Sequence, residues 1–362
     1  MRVAIFHDFF GAIGGGERVV LTLARALDAT VYTTDVHRPS LERLGAGDVR
    51  IVSLGALVPR PPLKQIHASL RFATAIADAD VFLLSGNWAI YAARRNHPNV
   101  LYCHTPVRAF YDLRESFLPA DRRSPVHRIL ARAWVSLHGA ADRVAWTQVD
   151  RVVTNSENTR RRIREYLDRD ARVLYPPTDV SRFRFEALDD FWLSVNRLYP
   201  EKRLEIQLEA FRRLPRERLV VVGGYARGDH AAEYVAGLRP PPNVELRGEV
   251  DDAELVRLYA RCRGLICTAR DEDFGMTPVE AMASGKVVLA VDEGGFRESV
   301  VPGETGWLLS PDPEAFATKV RALGGEDLAA RVDACRRRAG EFDVPRFVEA
   351  MRGLLEEAAT AR

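Results

Sequence analysis

Residues 3–34 read VAIFHDFFGAIGGGERVVLTLARALDATVYTT and contain a strand, a turn, a helix and a second strand. Val3–Phe6 is short and apolar, Gly11–Gly16 is a glycine-rich turn, and Glu17–Leu27 carries apolar side chains at helical spacing. Thr30–Thr34 is rich in β-branched residues, which favours a strand. Short apolar strands that alternate with helices indicate a parallel sheet covered on both faces, so this stretch predicts an α/β fold.

The same alternation runs through the rest of the chain in two series of strands. The first series ends at a break around Tyr175-Pro176-Pro177, and the second opens at Phe191 after a polar stretch. The predicted strands after Thr34 are Val49–Leu54, Val81–Leu84, Val100–Cys103, Arg151–Asn155, Arg172–Tyr175, Phe191–Val195, Leu219–Val222, Val244–Leu246, Gly264–Thr268 and Val287–Val291. We therefore predict one domain over residues 1–180, a second over 187–340, and an amphipathic helix, Arg346–Ala359, in a tail of residues 341–362.

Length and composition fit a protein of two ordinary globular domains, with 362 residues, 47% of them hydrophobic and 28% charged. The 52 Lys and Arg nearly balance the 50 Asp and Glu, so the whole chain has no nucleic-acid-binding signature. The four cysteines lack disulfide or zinc spacing and the N-terminus lacks a signal-peptide core, which predicts a cytoplasmic protein. The longest charge-free apolar stretch, Val81–Ala93, is shorter than the about 20 residues that a membrane-spanning helix needs.

The stretch with the most specific chemistry is EDFGMTPVEAMASG, residues Glu272–Gly285, which follows a strand and opens a helix. Thr277 is placed to be the N-cap and Glu280 lies three positions on, which predicts a capping box. A loop at a helix N-terminus also offers backbone N–H groups and the positive end of the helix dipole, which suit a diphosphate. The carboxylates of Glu272 and Glu280 suit the hydroxyls of a sugar and a ribose.

This Glu-x7-Glu pattern resembles a signature of retaining glycosyltransferases of family 4, and the resemblance extends over essentially the whole chain. It implies the GT-B fold, in which two Rossmann-like domains face each other and a C-terminal helix crosses back to the N-terminal domain. It implies that Glu272 contacts the transferred sugar and that Glu280 holds the nucleotide ribose. Backbone amides of the loop between them are implied to meet the donor sugar and phosphates, namely Phe274, Gly275, Met276 and Thr277.

Two cations follow the first strand of the second series, in Asn196-Arg197-Leu198-Tyr199-Pro200-Glu201-Lys202. Ligands bind at the carboxyl edge of parallel sheets, and Arg and Lys both suit phosphate oxygens. The alternative is that Arg197 and Lys202 are two solvated surface cations. The resemblance implies that both lie on the phosphates of the leaving group.

The glycine turn after the first strand admits two enzyme classes. Asp35 follows the next strand about 19 residues after Gly16, roughly where a dinucleotide-binding acid lies, so an NAD-dependent oxidoreductase is the alternative. The glycine spacing, however, does not match Gly-x-Gly-x-x-Gly. The resemblance instead implies that Gly15 and Gly16 face the donor phosphate and the acceptor.

Two further segments match the family. His104 lies in Tyr102-Cys103-His104-Thr105-Pro106 at a strand end, where a lone histidine is by itself more often structural. The resemblance implies that His104 contacts and orients the donor sugar, without acting as the catalytic base. The segment Asp292–Glu298 resembles a Gly-Gly stretch that shapes the nucleotide pocket, although Glu298 equally fits a helix surface.

The resemblance implies retaining transfer of a hexosyl unit without a cofactor or a metal. The leaving phosphate can itself accept the acceptor's proton. Asp-x-Asp occurs at Asp78-Ala79-Asp80 and at Asp271-Glu272-Asp273, but Asp78 and Asp80 open a strand with no partner ligands nearby, so no metal is implied. The segments look most like those of transferases of bacterial polysaccharide assembly that use GDP-mannose, with UDP-sugars left open. The acceptor is expected to be a glycan or a lipid-linked glycan, and a degenerate protein that binds a nucleotide sugar without activity is the non-enzymatic alternative.

The N-terminal domain carries an excess of positive charge. Between Ala56 and Trp134 there are eleven Lys or Arg residues and five acidic ones, a net charge of +6. The stretch Arg122–Trp146 mixes arginines with Trp134, Val135, Leu137 and Trp146, which suits an amphipathic helix at a membrane surface. We therefore predict peripheral contact with the anionic inner face of the plasma membrane, against the alternative of a solvated basic face.

Overall fold

The computed structural model describes residues 1–11, 14–112, 125–225 and 231–361, with side chains of the third range described from residue 129 onward. The chain forms two compact units. Unit 1 comprises Met1–Tyr175 together with Phe347–Arg362, and unit 2 comprises Pro176–Arg346. The boundary falls at the Tyr175-Pro176 step, inside the break in the strand pattern.

Unit 1 contains a seven-stranded parallel sheet in the order β3-β2-β1-β4-β5-β6-β7. Its strands are β1 (Val3–His7), β2 (Thr30–Thr33), β3 (Ile51–Ser53), β4 (Val81–Ser85), β5 (Asn99–Cys103), β6 (Arg151–Thr154) and β7 (Arg172–Val173). Its helices from the N-terminal part of the chain are α1 (Gly15–Ala26), α2 (Arg38–Arg43), α3 (Leu63–Thr74), α4 (Pro125–Thr147) and α5 (Glu157–Leu167). Strands β1, β4 and β5 are buried along their whole length, in agreement with their mostly apolar sequences.

Unit 2 contains a six-stranded parallel sheet in the order β10-β9-β8-β11-β12-β13. Its strands are β8 (Phe191–Val195), β9 (Arg218–Val222), β10 (Val244–Gly248), β11 (Gly264–Cys267), β12 (Val287–Val291) and β13 (Gly306–Leu309). Its helices are α6 (Leu204–Arg212), α7 (Ala231–Gly237), α8 (Asp252–Arg261), α9 (Met276–Ala283), α10 (Phe296–Ser299), α11 (Pro313–Ala322), α12 (Gly325–Ala329) and α13 (Val332–Ala339).

The last helix, α14 (Val344–Thr360), contributes to the core of unit 1. Its buried side chains Phe347, Met351 and Leu355 belong to the same apolar cluster as Ile5 of β1 and Val31 of β2. The aromatic rings of Phe347 and Tyr102 meet edge to face at 5.6 Å. The prediction that the C-terminal helix returns to the N-terminal sheet is therefore confirmed.

The predicted α/β class with two successive parallel sheets is confirmed, whereas several element boundaries were wrong. The glycine turn does not extend through Gly16, because α1 already begins at Gly15. Strand β13 was not predicted. It lies at the sheet edge and its side chains after Gly306 are only partly buried, so its apolar signal is weak. None of the helices in the described ranges is long and apolar enough to cross a membrane.

Candidate active site

In unit 2, the predicted site residues lie on the loops that follow β8, β11 and β12. Strand β8 is flanked by β9 on one side and by β11 on the other, so the chain reverses its direction of progress across the sheet at the β8–β11 junction. In open parallel sheets ligands bind at the carboxyl ends of the strands beside such a junction. Lys202 lies after β8 and Glu272 after β11, one on each side of it.

The structure brings Lys202 and Glu272 into direct contact. The Lys202 Nζ donates to Glu272 Oε2 at 2.5 Å, and the two side chains are only 18% and 22% exposed. The guanidinium of Arg197 is exposed and lies 5.6 Å from the centre of the Tyr199 ring. The sequence analysis predicted two separate contacts, of Lys202 with a phosphate and of Glu272 with the sugar. The structure places the cation and the carboxylate at one point of the sheet edge.

Helix α9 begins at a different residue from the one predicted. Its N-cap is Gly275 with φ of +82°, so Thr277 is the second helical residue and the predicted capping box with Glu280 is wrong. Only glycine adopts this backbone conformation at little cost, and Gly275 therefore sets the start of the helix. The N–H groups of Met276 and Thr277 lie in the first turn, where a helix supplies no acceptor of its own.

Glu280 is oriented by a tyrosine that the sequence did not single out. The phenol of Tyr259, on α8, is fully buried and donates to Glu280 Oε2 at 2.8 Å. Burial beside this carboxylate raises the pKa of Tyr259 well above its usual value, so the phenol keeps its proton and remains a donor. Periodicity identifies Tyr259 only as one more core residue of an amphipathic helix.

Arg203 and Glu293 tie together the three loops of the site. Arg203 is buried, with φ of +49°, and its guanidinium donates to the carbonyl oxygens of Thr268 and Ala269 after β11. The same guanidinium makes two hydrogen bonds to the carboxylate of Glu293 after β12, at 3.0 and 2.8 Å. Glu293 in turn accepts the backbone N–H of Asp271 at 3.2 Å. Arg203, which is adjacent to Lys202, therefore fixes the backbone beside Glu272. The sequence did not predict this role for Arg203 or for Glu293.

The Gly294-Gly295 pair packs against the backbone of the loop that contains Glu272. Gly295 donates its N–H to the Glu272 carbonyl at 2.8 Å. A Cβ at Gly295 would lie 2.4 Å from Phe274 Cα, and one at Gly294, where φ is +56°, would lie 2.5 Å from the Glu272 carbonyl oxygen. Backbone packs directly on backbone here, which gives the segment Asp292–Glu298 a defined role in shaping the loop.

Gly295→Ala is expected to displace the Glu272 loop and to lower kcat for sugar transfer at least tenfold, because a shift of about 1 Å in a catalytic group costs up to about 100-fold. The matched control is Gly237→Ala on α7, where a Cβ meets nothing within 4 Å. Steady-state kinetics, with circular dichroism to confirm folding, tests the prediction. Wild-type kinetics in Gly295→Ala would show that the close backbone contact is unimportant.

In unit 1, the predicted residues lie at the junction of β1 and β4, where that sheet also reverses. His104 follows β5, and its Nε2 is 2.9 Å from the Ser85 hydroxyl at the end of β4. The Nδ1 of His7, at the end of β1, donates to the Ser85 carbonyl at 2.9 Å. A Cβ at Gly16 would lie 3.6 Å from His104 Nε2, so the first turn of α1 closely approaches the imidazole. Gly15 belongs to the same turn.

His104 is neutral at physiological pH in this environment. Burial, with the nearby His7 as a lesser cause, lowers its pKa to about 4. A neutral imidazole exchanges hydrogen bonds with hydroxyl groups and is a weak base, which agrees with the expected role in orienting a sugar.

We expect the imidazole of His104 to show no titration between about pH 5 and 8, whereas an unperturbed histidine titrates near 6.5. NMR of the imidazole carbons measures this, with His104→Asn to assign the resonance. Since the pKa is lowered in the folded state, the neutral form stabilises the fold above pH 6.5, and this contribution is lost as the pH falls from 6.5 toward 4. A midpoint near 6.5 would contradict the structure.

Other carboxylates that the sequence drew attention to are engaged in ion pairs. Asp35, the acid that suggested NAD binding, pairs with Lys64 at 2.9 Å and accepts the backbone N–H of Leu57. Asp78 and Asp80 of the first Asp-x-Asp motif both pair with Arg2, at 2.7 and 3.5 Å. Among the residues with described side chains, no three His, Cys, Asp or Glu form a metal-binding group.

Comparison with known proteins identifies both units. Residues 13–182 match the family model for Glycosyltransferase Family 4, and residues 180–334 match the model for Glycosyl transferases group 1. Among curated proteins, the chain is 27% identical to the alpha-1,3/1,6-mannosyltransferase ALG2 of Dictyostelium discoideum, and the alignment covers 88% of each chain.

Solved structures of glycosyltransferases share the fold over nearly the full length. HepE from Anabaena in complex with UDP-glucose superimposes with a TM-score of 0.73 at 20% identity, covering 99% of this chain and all of that one. Sucrose-phosphate synthase from Thermosynechococcus elongatus gives 0.74 at 18% identity, with complete coverage of both chains. These matches show the GT-B fold and do not favour an oxidoreductase. The chain belongs to glycosyltransferase family 4 and is a hexosyltransferase.

Proposed function

We propose that this enzyme transfers mannose from GDP-mannose to a hydroxyl of a glycan or lipid-linked glycan, with retention of configuration and without a metal or other cofactor. The observation that carries the proposal is the Lys202–Glu272 pair beside the first turn of α9. A cation, helix N–H groups and a carboxylate suit a diphosphate joined to a sugar. The choice of mannose is supported by the mannosyltransferase name of the relative that aligns over 88% of the chain.

In the proposed reaction the bond between the sugar C1 and the phosphate oxygen breaks as positive charge develops on the sugar. The acceptor hydroxyl attacks C1 from the face that the phosphate leaves and gives its proton to the departing phosphate oxygen. Arg197, Lys202 and the N–H groups of Met276 and Thr277 stabilise the growing negative charge on the diphosphate. Glu280, held by Tyr259, is assigned to the ribose, and His104 to the sugar hydroxyls.

We expect donor binding to begin with a change of partner at the Lys202–Glu272 ion pair. In the structure the Lys202 ammonium group is engaged by the carboxylate of Glu272. An incoming diphosphate carries more negative charge than Glu272 and competes for the ammonium group. Glu272 is then available to accept hydrogen bonds from hydroxyls of the transferred sugar, so that one exchange of partners prepares both ends of the donor.

A donor panel tests the proposal. We expect sugar transfer from GDP-mannose to exceed transfer from UDP-glucose and ADP-glucose, to persist in EDTA, and to yield an α-mannoside by NMR. GDP at about 100 times its Kd should stabilise the fold by about 2.7 kcal/mol in thermal unfolding, with smaller shifts for UDP, ADP and NAD. A β-linked product would overturn the retaining assignment, loss of activity in EDTA the metal-free one, and a clear preference for UDP or ADP the proposed donor.

A further inference from the structure

The solvent side of helix α3 carries a stripe of large aliphatic side chains. Leu63, Ile66 and Leu70 are 55%, 39% and 61% exposed. Positions separated by three and four residues share one face of a helix, so the three side chains form a continuous ridge. Contiguous exposed apolar surface of this kind marks an interaction site, whereas single scattered apolar residues do not.

Helix α4 carries a second ridge. Leu130, Leu137 and Val144 recur every seven residues and are 62%, 74% and 63% exposed. Ala133 and Ala140, which are also exposed, fill the positions between them. This face of the helix is apolar over four turns although it lies toward solvent.

The inner side of α4 corrects the sequence-based expectation about membrane contact. Val135 and Trp146, which were expected to face a membrane, are 3% and 4% exposed and belong to the protein interior. The polar side chains of His138 and Asp142 are buried as well. Helix α4 therefore buries two polar side chains among apolar ones, and its exposed surface carries an apolar ridge beside its arginines, whereas an ordinary surface helix presents a polar face to solvent. Arg122 and Arg123 lie outside the described residues.

The two ridges belong to neighbouring helices. The hydroxyl of Ser69 on α3 is 2.9 Å from Nε2 of His138 on α4, and this hydrogen bond is buried. The Trp134 indole donates to Nδ1 of the same imidazole at 3.0 Å, so Nε2 carries the proton and donates to Ser69. Leu70 and Leu137 each adjoin one of the two bonded residues in sequence. The hydrogen bond fixes the helices side by side, with an exposed leucine next to each partner.

The charges on α3 and α4 indicate which kind of partner this surface binds. Arg71, Arg132 and Arg143 are exposed, whereas Lys64 is partly buried and paired with Asp35. The only acidic residue on either helix in its described part, Asp142, is 1% exposed. The two helices therefore combine aliphatic ridges with exposed arginines and no exposed acid in their described parts. A second copy of the chain would bring like charges together, which disfavours a symmetric dimer. Anionic lipid satisfies both the charge and the aliphatic side chains.

We propose that the α3–α4 ridges, formed by Leu63, Ile66, Leu70, Leu130, Leu137 and Val144, dock unit 1 onto an anionic lipid bilayer, with both helices inserted at the level of the headgroups. The proposal rests on the proposed function only in that a membrane site suits a lipid-linked acceptor. The proposal requires that aliphatic side chains insert into the bilayer. Simple attraction of a basic face to a polyanion does not require this.

Co-sedimentation with vesicles tests the proposal. Wild-type protein should bind vesicles of phosphatidylcholine containing about 30% phosphatidylglycerol at low salt, and should bind phosphatidylcholine alone far more weakly. Leu70→Ser/Leu137→Ser should lower the partition coefficient roughly tenfold or more, since each leucine contributes several buried carbons. Both side chains are more than half exposed, so the fold should be retained. The matched control is Val52→Ser, an aliphatic residue of the same unit that is 41% exposed on β3.

The outcomes separate this proposal from the proposed function. Unchanged vesicle binding by Leu70→Ser/Leu137→Ser, or binding of wild type to heparin and vesicles alike with no effect of the leucines, overturns insertion. Concentration-dependent dimerisation in light scattering that the same variant abolishes assigns the ridges to a second copy instead. Affinity for GDP, measured without lipid, should be the same in wild type and variant. GDP-mannose activity toward a water-soluble acceptor therefore succeeds or fails independently of the lipid result.

Discussion

Replacing Lys202 by alanine is expected to lower kcat/KM for sugar transfer about 100- to 1000-fold, the effect of removing one preorganised group that stabilises transition-state charge. Lys202 lies at the sheet junction with its ammonium 2.5 Å from Glu272, and its loop is fixed by the adjacent Arg203. Lys319→Ala is the control, because that lysine belongs to the same unit but lies on α11, with its ammonium group over the ring of Trp307 of β13. Initial rates over a range of donor concentrations separate kcat from KM.

A double-variant cycle extends this test. Lys202→Ala alone removes the cation that contacts Glu272, and part of its effect arises from the loss of that ion pair. If both residues act on the donor through one shared exchange, Lys202→Ala/Glu272→Ala should lose much less than the product of the two single losses. Fully multiplicative losses would show that the ion pair has no part in the reaction.

The second large effect is expected at Glu272, with Glu280 as its counterpart. Glu272→Ala should lower kcat about 100-fold with little change in GDP affinity, since a contact to the transferred sugar strengthens as charge develops. Glu280→Ala should instead weaken GDP binding about tenfold, because a ribose contact is present in ground and transition states alike. Calorimetry with GDP and steady-state kinetics provide the two readouts.

Tyr259→Phe provides a milder version of the Glu280 change. It removes the phenol that donates to Glu280 and retains the buried ring. We expect GDP affinity to fall in the same direction as in Glu280→Ala but by less. Equal changes in affinity and turnover for both glutamates would contradict the division of roles.

The sequence predicted the fold well where each strand has a signal of its own. The central strands of both sheets are mostly apolar runs, and Phe191–Val195 and Val287–Val291 match the observed strands residue for residue. The edge strand Gly306–Leu309 was missed because partial burial removes that signal. The start of α9 was misplaced because side-chain preferences favour Thr277 as the cap, whereas the backbone angle of Gly275 decides it.

The sequence proposed the residues of the candidate site but not how they are held together. Glu272, Glu280, Lys202 and Arg197 were identified from a family motif. Their supports were not, because Arg203 acts through hydrogen bonds to residues 65 to 90 positions away. Spacing along the chain carries no trace of such contacts. The outward-facing side chains of α4 were likewise not predicted, since composition reveals that the helix contains arginine and apolar residues but not which of them face outward.

Helix α14 has a consequence for the order in which the protein is made. Met351 and Leu355 are fully buried in a core that they share with residues of α1 and of strands β1, β2, β4, β5 and β6. On the ribosome, the whole of Pro176–Arg346 emerges before this helix does. Unit 2 can therefore finish folding while the core of the first sheet still lacks the part of its cover that α14 provides. Unit 1 is thus synthesised first but completed last. Until α14 packs against it, the apolar side chains that α14 covers depend on other molecules in the cell for protection from water.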